Sequence, residues 1–410
     1  MINILIMDDG TEKVSRIQSV LTGMCMVPSK NIEVARSLNS GRRKLAEKFY
    51  DLLILDLVLP VNDDDEVEPM KSEGFIDELH RIGRLKKPIY VIGLSQYEEK
   101  VVANHQIFDS KLWKLIHYDL KKNDWELILQ NAIESILSTK EQLLNSIKEQ
   151  NKYDIGIICA LSEEFEQMKI ASALNWKKVN VEGFSNDFYA TEMRTELGHT
   201  LRIIAGRNNM AGMQAASVMA SCMYSLFYVH SIFMTGICAG FKKDDKDDTI
   251  DFGDIFIAES EYDYGSGKLD NKDELKKEYK GIECNFELKT KMNTFIEEKH
   301  PETLINAALE SKNLNLMRKN PLIHFKPGAC GSYVVANQDF MNKLIETNRK
   351  LRGLDMEGYG LYMASHILGK KSLMIKCVSD FADSNKGDKY HKMCSYSSAW
   401  LLFEYLKYTY

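Results

Sequence analysis

Three carboxylates, each delivered at the end of an apolar run, are the first side chains in this chain that could do chemistry together. Ile4-Leu5-Ile6-Met7 runs into Asp8 and Asp9, and Leu52-Leu53-Ile54-Leu55 runs into Asp56, with Pro60 four residues on. A third run, Ile89-Tyr90-Val91-Ile92, leads to Ser95, and Tyr118-Asp119-Leu120-Lys121 supplies an aromatic residue and a lysine three positions apart. Parallel strands collect such residues at their carboxyl ends, where ligands of open α/β sheets bind. Carboxylates crowded at one sheet edge repel one another unless a divalent cation sits among them. Mg²⁺, bound by oxygens and retained waters, suits Asp8, Asp9 and Asp56. Taken singly, Asp8 and Asp9 also read as turn residues and Asp56 as a strand-end cap; the ordered set is what points to a pocket.

In that order and spacing these residues resemble a response-regulator receiver domain, a doubly wound five-stranded parallel sheet, over residues 1–138. The resemblance implies that Asp56 is the phosphoacceptor and that Mg²⁺ is held by Asp8, Asp9 and Asp56. Lys121 would neutralise the phosphoryl oxygens, Ser95 would hydrogen-bond the new phosphoryl group, and Tyr118 would be the aromatic switch. Such transfer is positioning plus electrostatics. It further implies a histidine kinase as phosphodonor. The acidic stretch Asn62–Glu68 lengthens the loop beside Asp56 and reads as a solvated loop or as a device that tunes access.

A second group of carboxylates lies in the remainder of the chain. Tyr153 to Leu161 is an apolar run followed by Ser162-Glu163-Glu164; Leu354-Asp355-Met356-Glu357-Gly358 and Ile375-Lys376-Cys377-Val378-Ser379-Asp380 come much later. Between them stand Leu201 to Asn209, an Ala- and Met-rich helical stretch over 211–228, Thr235-Gly236-Ile237-Cys238-Ala239-Gly240 and Gly253-Asp254-Ile255. Strands and helices alternate throughout, which predicts an α/β domain around a central sheet. Asp380 also reads as a helix cap, and Glu357 as a buried partner for a backbone amide.

These motifs, in this order, resemble the nucleoside phosphorylase and nucleosidase superfamily over residues 153–410, with a central mixed sheet. The Asp-Met-Glu and Val-Ser-Asp elements are more similar to the nucleosidases that hydrolyse methylthioadenosine and adenosylhomocysteine than to phosphorolytic enzymes. The resemblance assigns Asp380 as the general acid at N7 of adenine, a role that requires a raised carboxyl pKa. Ser379 would orient Asp380, Glu357 would accept from the ribose hydroxyls with Met356 against the sugar, and Glu164 would activate water. Glu163 adjoins it and could exchange with it. Val334 and Val335 fall where the base pocket is lined, though strand core explains them equally. No cofactor is expected for this chemistry.

Arg207, with Asn208 and Asn209, stands just before a helix N-terminus, and that combination can hold an anion such as inorganic phosphate or a substrate's 5′-phosphates. Lys242 and Lys243 could add to it, or be solvated beside the neighbouring aspartates.

Length and composition bound the rest. At 410 residues, 44% hydrophobic and 27% charged, the chain can build two cores. Trp125 to Gln150 carries apolar residues at three- and four-residue spacings, so one long helix is expected to join the domains, with 139–152 as the linker. A net charge of −6 argues against a nucleic-acid partner. No apolar stretch reaches the roughly 20 residues of a membrane span, and the start Met1-Ile2-Asn3-Ile4 lacks a basic flank, so a cytoplasmic protein is expected. Eight scattered cysteines with no CxxC pair read as reduced core residues.

A receiver joined to a nucleosidase-like domain resembles the effector response regulators of Detocs anti-phage two-component systems. That resemblance implies hydrolysis of ATP, and by extension dATP, to adenine and ribose 5′-triphosphate once the receiver is phosphorylated; the nucleosidase resemblance implies a homo-oligomer. The residues themselves reach only an adenine nucleoside or nucleotide with an anion site near Arg207. Alternatives are a methylthioadenosine-type nucleosidase, a phosphorylase, or a purine sensor without turnover.

Overall fold

The computed structural model describes residues 2–65, 71–80, 83, 85–119, 121–241, 250–269, 275–277, 280–315, 320–382 and 388–410. Lys242, Lys243 and the 66–68 part of the acidic stretch lie outside them. The chain forms two compact units, 1–147 and 148–410.

The first unit is a five-stranded sheet built from β1 (Ile4–Met7), β2 (Ile32–Ala35), β3 (Leu52–Leu55), β4 (Tyr90–Ser95) and β5 (Lys114–His117), with α1 (Thr11–Ser19), α2 (Leu38–Glu47), α3 (Lys71–His80), α4 (Glu98–Ser110) and α5 (Asp124–Asn151) between and after them. The order is β2-β1-β3-β4-β5, parallel throughout. Its central strands β1 and β3 are unbroken apolar runs because both faces are covered. Ile4, Ile6, Leu52 and Ile54 enter the core on one face, with Trp125, Leu129, Ile133 and Ile136 of α5. Leu5, Met7, Leu53 and Leu55 enter the core on the other. Helix α5 is one continuous element, as the apolar spacing predicts. Lys140 Nζ ties it to Asp51 Oδ1 at 2.6 Å.

The second unit opens with β6 (Ile155–Cys159), α6 (Ser162–Ser172), β7 (Lys177–Val179), β8 (Phe188–Arg194), β9 (Thr200–Arg207), α7 (Met213–Leu226) and β10 (Ser231–Gly240). It continues with β11 (Ile255–Asp263), a small hairpin β12 (Gly267–Leu269) and β13 (Leu275–Lys277), β14 (Gly281–Glu283), α8 (Phe286–Lys299) and α9 (Ile305–Glu310). It closes with β15 (Ile323–Cys330), α10 (Gln338–Thr347), β16 (Gly353–Asp355), α11 (Gly358–Ile367), β17 (Lys371–Asp380) and α12 (His391–Thr409). The sheet is mixed, in the order β14-β11-β15-β16-β10-β6-β9-β8-β7, with β17 parallel to β10 and antiparallel to β11. Both expected sheets, the all-parallel one and the mixed one, are therefore present.

The centre of this sheet is again buried on both sides. Ile157, Ile203 and Ile375 face α6, α8 and α12, while Ile158, Ile204 and Met374 face α7 and α11. The Gly-Asp-Ile motif is structural: Asp254 is buried, its Oδ1 accepts from Leu322 N (2.9 Å) and its Oδ2 from Asp251 N (2.7 Å), with His324 Nε2 at 3.1 Å. All eight cysteines are free thiols, and six are buried. No described helix is long and apolar enough to cross a membrane.

Candidate active site

The carboxyl ends of β6, β10 and β17, together with the turn after β16, open onto one cavity of about 240 Å³. Glu164, Met356, Glu357, Ser379 and Asp380 all line it. Each is held by its own element.

Glu164 sits in the first turn of α6, where carboxylates complement the helix N-terminus. Its Oε2 accepts from Ala160 N (2.8 Å) and Leu161 N (3.0 Å), and its Oε1 accepts from Ile237 N (2.8 Å). This clamps the β6–α6 turn to β10. The approach is so close that a Cβ at Gly236, whose φ is +150°, would lie 1.9 Å from Glu164 Oε1, so only glycine fits there. Glu163 is not among the lining residues; it faces His391 Nδ1 at 3.9 Å.

Glu357 precedes α11. Its Oε1 accepts from Gly212 N (2.9 Å), the residue that caps the start of α7, while Asp355 Oδ2 accepts from Glu357 N (3.1 Å) and Gly358 N (2.8 Å). The contact between α7 and α11 is made by Gly360: a Cβ there would lie 2.0 Å from Met213 O. Burial pushes the Glu357 carboxyl up to about 7, opposed by Lys376 and reinforced by Asp355 and Glu164.

Asp380 ends β17. The pairing of β10 with β17 slips between Cys238 and Ala239, which sets Asp380 opposite Ala239 and turns the strand end toward the cavity. Its Oδ1 accepts from Ala382 N (2.8 Å) and its Oδ2 from Ser379 Oγ (3.3 Å). Val334 and Val335 line the cavity beside Tyr333; Val335 is buried, while Val334 is 64% exposed. The Tyr333 ring packs with Tyr264 and Phe340 at centroid distances of 5.5 and 6.2 Å.

Lys376, which the sequence reading left without a role, lies behind the cavity with no exposed surface, its Nζ 3.4 Å from Glu164 Oε1. Burial alone would lower its pKa, but Glu164, Glu357 and Asp355 outweigh burial and hold it charged. An isolated lysine in the apolar run Leu373–Val378 was the available signal, since unpaired charge is not buried in a strand. Tyr333 and His391 also line the cavity without having been singled out.

Arg207 is not brought to the cavity. It is exposed, and its guanidinium donates to Ser162 Oγ. Strand parity explains this: Ile203, Ala205 and Arg207 share the face of β9 on which α6 packs. Its neighbours Asn208 and Asn209 instead line a second cavity of about 460 Å³ with Asn186 and Gln214, and Ala211 lines both cavities. Asn208 is buried, and neither its Oδ1 nor its Nδ2 has a hydrogen-bond partner.

In the first unit one oxygen each from Asp8, Asp9 and Asp56 lies within 4.8 Å of the others, a donor set that fits a hard divalent cation. Asp8 and Asp56 are buried and Asp9 is exposed. Burial raises the Asp56 carboxyl and pushes Asp8 up to about 6, with Lys13 opposing both. Lys121 is exposed, and among the described residues its ammonium makes no ion pair with Asp56. Lys13 of α1 takes that place, 2.8 Å from Asp56 Oδ2. Ser95 is fully buried at the end of β4, and its carbonyl accepts from Tyr118 N (2.8 Å). Tyr118 is buried, with its ring 4.7 Å from that of Trp125.

Glu164, Asp355, Glu357 and Asp380 thus line one sheet-edge cavity together with the ring of Tyr333. Residues 154–395 match the Phosphorylase superfamily, and the chain belongs to it. Among individual proteins, Sinorhizobium fredii y4jS is 28% identical over 411 residues, covering 97% of this chain and 96% of that protein. The Escherichia coli ATP nucleosidase Cap17 is 22% identical over 234 residues, covering 54% of this chain and 44% of that protein. Among solved structures, the futalosine hydrolase of Helicobacter pylori aligns with 17% identity and a TM-score of 0.49, over 62% of this chain and 97% of that one. The 5′-methylthioadenosine/S-adenosylhomocysteine nucleosidase of the same organism gives the same figures.

Proposed function

We propose that the second unit hydrolyses the N-glycosidic bond of adenine nucleotides, with ATP and dATP as preferred substrates, and that phosphorylation of Asp56 switches it on. The observation that carries the reading is the convergence of Glu164, Glu357 and Asp380, from three separate elements, on one cavity. Asp380, steadied by Ser379 and Ala382 N, protonates N7 so that adenine can leave. Glu357 accepts from the ribose hydroxyls beside Met356. Glu164, held by three backbone amides and Lys376, draws the proton from the attacking water. Tyr333, Val334 and Val335 offer the base an aromatic and aliphatic wall.

No arginine or lysine is among the described residues lining this cavity, which favours water over inorganic phosphate as the nucleophile. The second cavity supports a substrate with an extended 5′ end. It adjoins the first through Ala211 and offers the amides of Asn186, Asn208, Asn209 and Gln214 beside the start of α7, where backbone N–H groups favour anions. The similarity to Cap17 points to the same substrate class. In this reading a histidine kinase phosphorylates Asp56 with Mg²⁺ held by Asp8, Asp9 and Asp56, the active form is a homo-oligomer, and nucleotide loss serves anti-phage defence.

The test is chromatographic product analysis with ATP, dATP, AMP, adenosine and methylthioadenosine, with and without acetyl phosphate and inorganic phosphate. Adenine released from ATP only with acetyl phosphate is the expected result. Release only from nucleosides, or only with inorganic phosphate, overturns the substrate assignment.

A further inference from the structure

We propose that Lys13 is the resident cation of the acidic pocket, so that a divalent ion and the Lys13 ammonium compete for the same oxygens. The inference rests on the reading of Asp56 as phosphoacceptor given above. Lys13 lies on α1 with its side chain 1% exposed. Its three ammonium protons have three acceptors: Asp8 Oδ2 at 2.7 Å, Asp56 Oδ2 at 2.8 Å and Leu94 O at 2.6 Å. An ammonium has no further donor to offer.

The carboxylates are similarly engaged. Asp8 Oδ1 accepts from Gly10 N (2.9 Å) and Asp56 Oδ1 from Val58 N (3.3 Å), so all four oxygens of the buried pair already face a protein donor. A divalent ion held by Asp8 and Asp56 would have to share these carboxylates with the Lys13 ammonium, which lies 2.7 and 2.8 Å from their Oδ2 atoms. Two cations sharing the same buried carboxylates repel each other. Loading the pocket therefore expels Lys13.

That displacement has a direction. Lys13 holds the carbonyl of Leu94, the residue before Ser95, and its ammonium lies 5.5 Å from the Tyr118 ring. Withdrawal of the ammonium frees the end of β4 and removes a cation from the face of the aromatic residue, so occupancy of the pocket and release of the Ser95–Tyr118 segment become one event.

The experiment is calorimetric titration of the full chain with MgCl₂, comparing wild type with Lys13→Met and, as a milder change that keeps hydrogen bonding, Lys13→Gln. Each variant is also melted with and without Mg²⁺ to confirm its fold. The expected result is at least about tenfold tighter Mg²⁺ binding in both variants and a larger Mg²⁺-induced rise in Tm than in wild type. Unchanged or weaker binding in the folded variants overturns the proposal. Labelling by acetyl phosphate in wild type and Asp56→Asn separates the two readings. If Asp56→Asn is still labelled, the phosphoacceptor assignment falls, while the Mg²⁺ comparison still decides the competition at Lys13.

Discussion

Lys376 Nζ and Glu164 Oε1 stand 3.4 Å apart, both side chains almost without exposed surface, with the lysine behind the cavity that Glu164, Glu357 and Asp380 line. Glu164, Glu357 and Asp355 surround this ammonium, and its charge keeps an acidic cluster compatible with burial. Lys376→Met should cost about 3–5 kcal/mol, because it strands buried carboxylates rather than deleting a pair. Chemical denaturation of wild type, Lys376→Met and Lys376→Arg checks this, with the arginine variant expected between the other two.

Asp380→Asn removes a proton donor while keeping shape and the acceptor for Ala382 N. Turnover should fall by about 10²–10⁴, the usual range for a lost general acid, with the melting temperature nearly unchanged. Equal turnover in the variant would dismiss Asp380 as the acid.

The raised Glu357 carboxyl gives a pH signature. Its value of about 7 lies above the ordinary 4.5, so between those limits the folded chain holds a proton that the unfolded chain releases. Stability therefore falls as pH rises through that window, and it falls less in Glu357→Gln. Acceptance from two ribose hydroxyls needs the ionised form, so kcat/KM should rise along a limb centred near pH 7. That limb should vanish in Glu357→Gln, leaving a low, flat profile.

Gly360→Ala drives a methyl group into the Met213 carbonyl and must part α11 from α7. A loss of about 1–3 kcal/mol is expected from overpacking. Because Glu357 reaches Gly212 N across the same contact, KM should rise more than kcat falls, which steady-state kinetics would resolve.

Asn208→Ala tests the second cavity. If the unpaired buried amide meets the 5′ extension, the variant loses kcat/KM for ATP by about tenfold, while adenosine is affected little. Parallel losses for both substrates would remove the cavity from the substrate path.

The strand framework was legible because β1, β3 and β6 are continuous apolar runs whose alternate residues enter two cores, as the strands of a doubly covered sheet do. The placements of Lys13, Lys376 and Arg207 were harder. A lone lysine reads as solvated unless its face is considered: Lys13 lies one turn before the buried Ile17, and Lys376 stands inside a strand whose neighbours are all buried. Arg207 was placed by its proximity to a helix N-terminus, whereas the parity of β9 sends it to the opposite face. Spacing brings residues to an edge; which way each side chain turns depends on what packs against it.

The cysteines carry a practical consequence of this packing. Burial pushes the thiols of Cys25 and Cys284 up to about 11 and Cys159 up to about 12, far from the reactive thiolate, and raises Cys377 well above its ordinary value. Native alkylation at these sites must wait for a fluctuation that opens the surrounding core. Cys25 lies in the first unit, and Cys159 and Cys377 in the second, on β6 and β17 either side of β10, so mass-resolved labelling rates would time the breathing of each unit separately, in one tube and without any introduced probe.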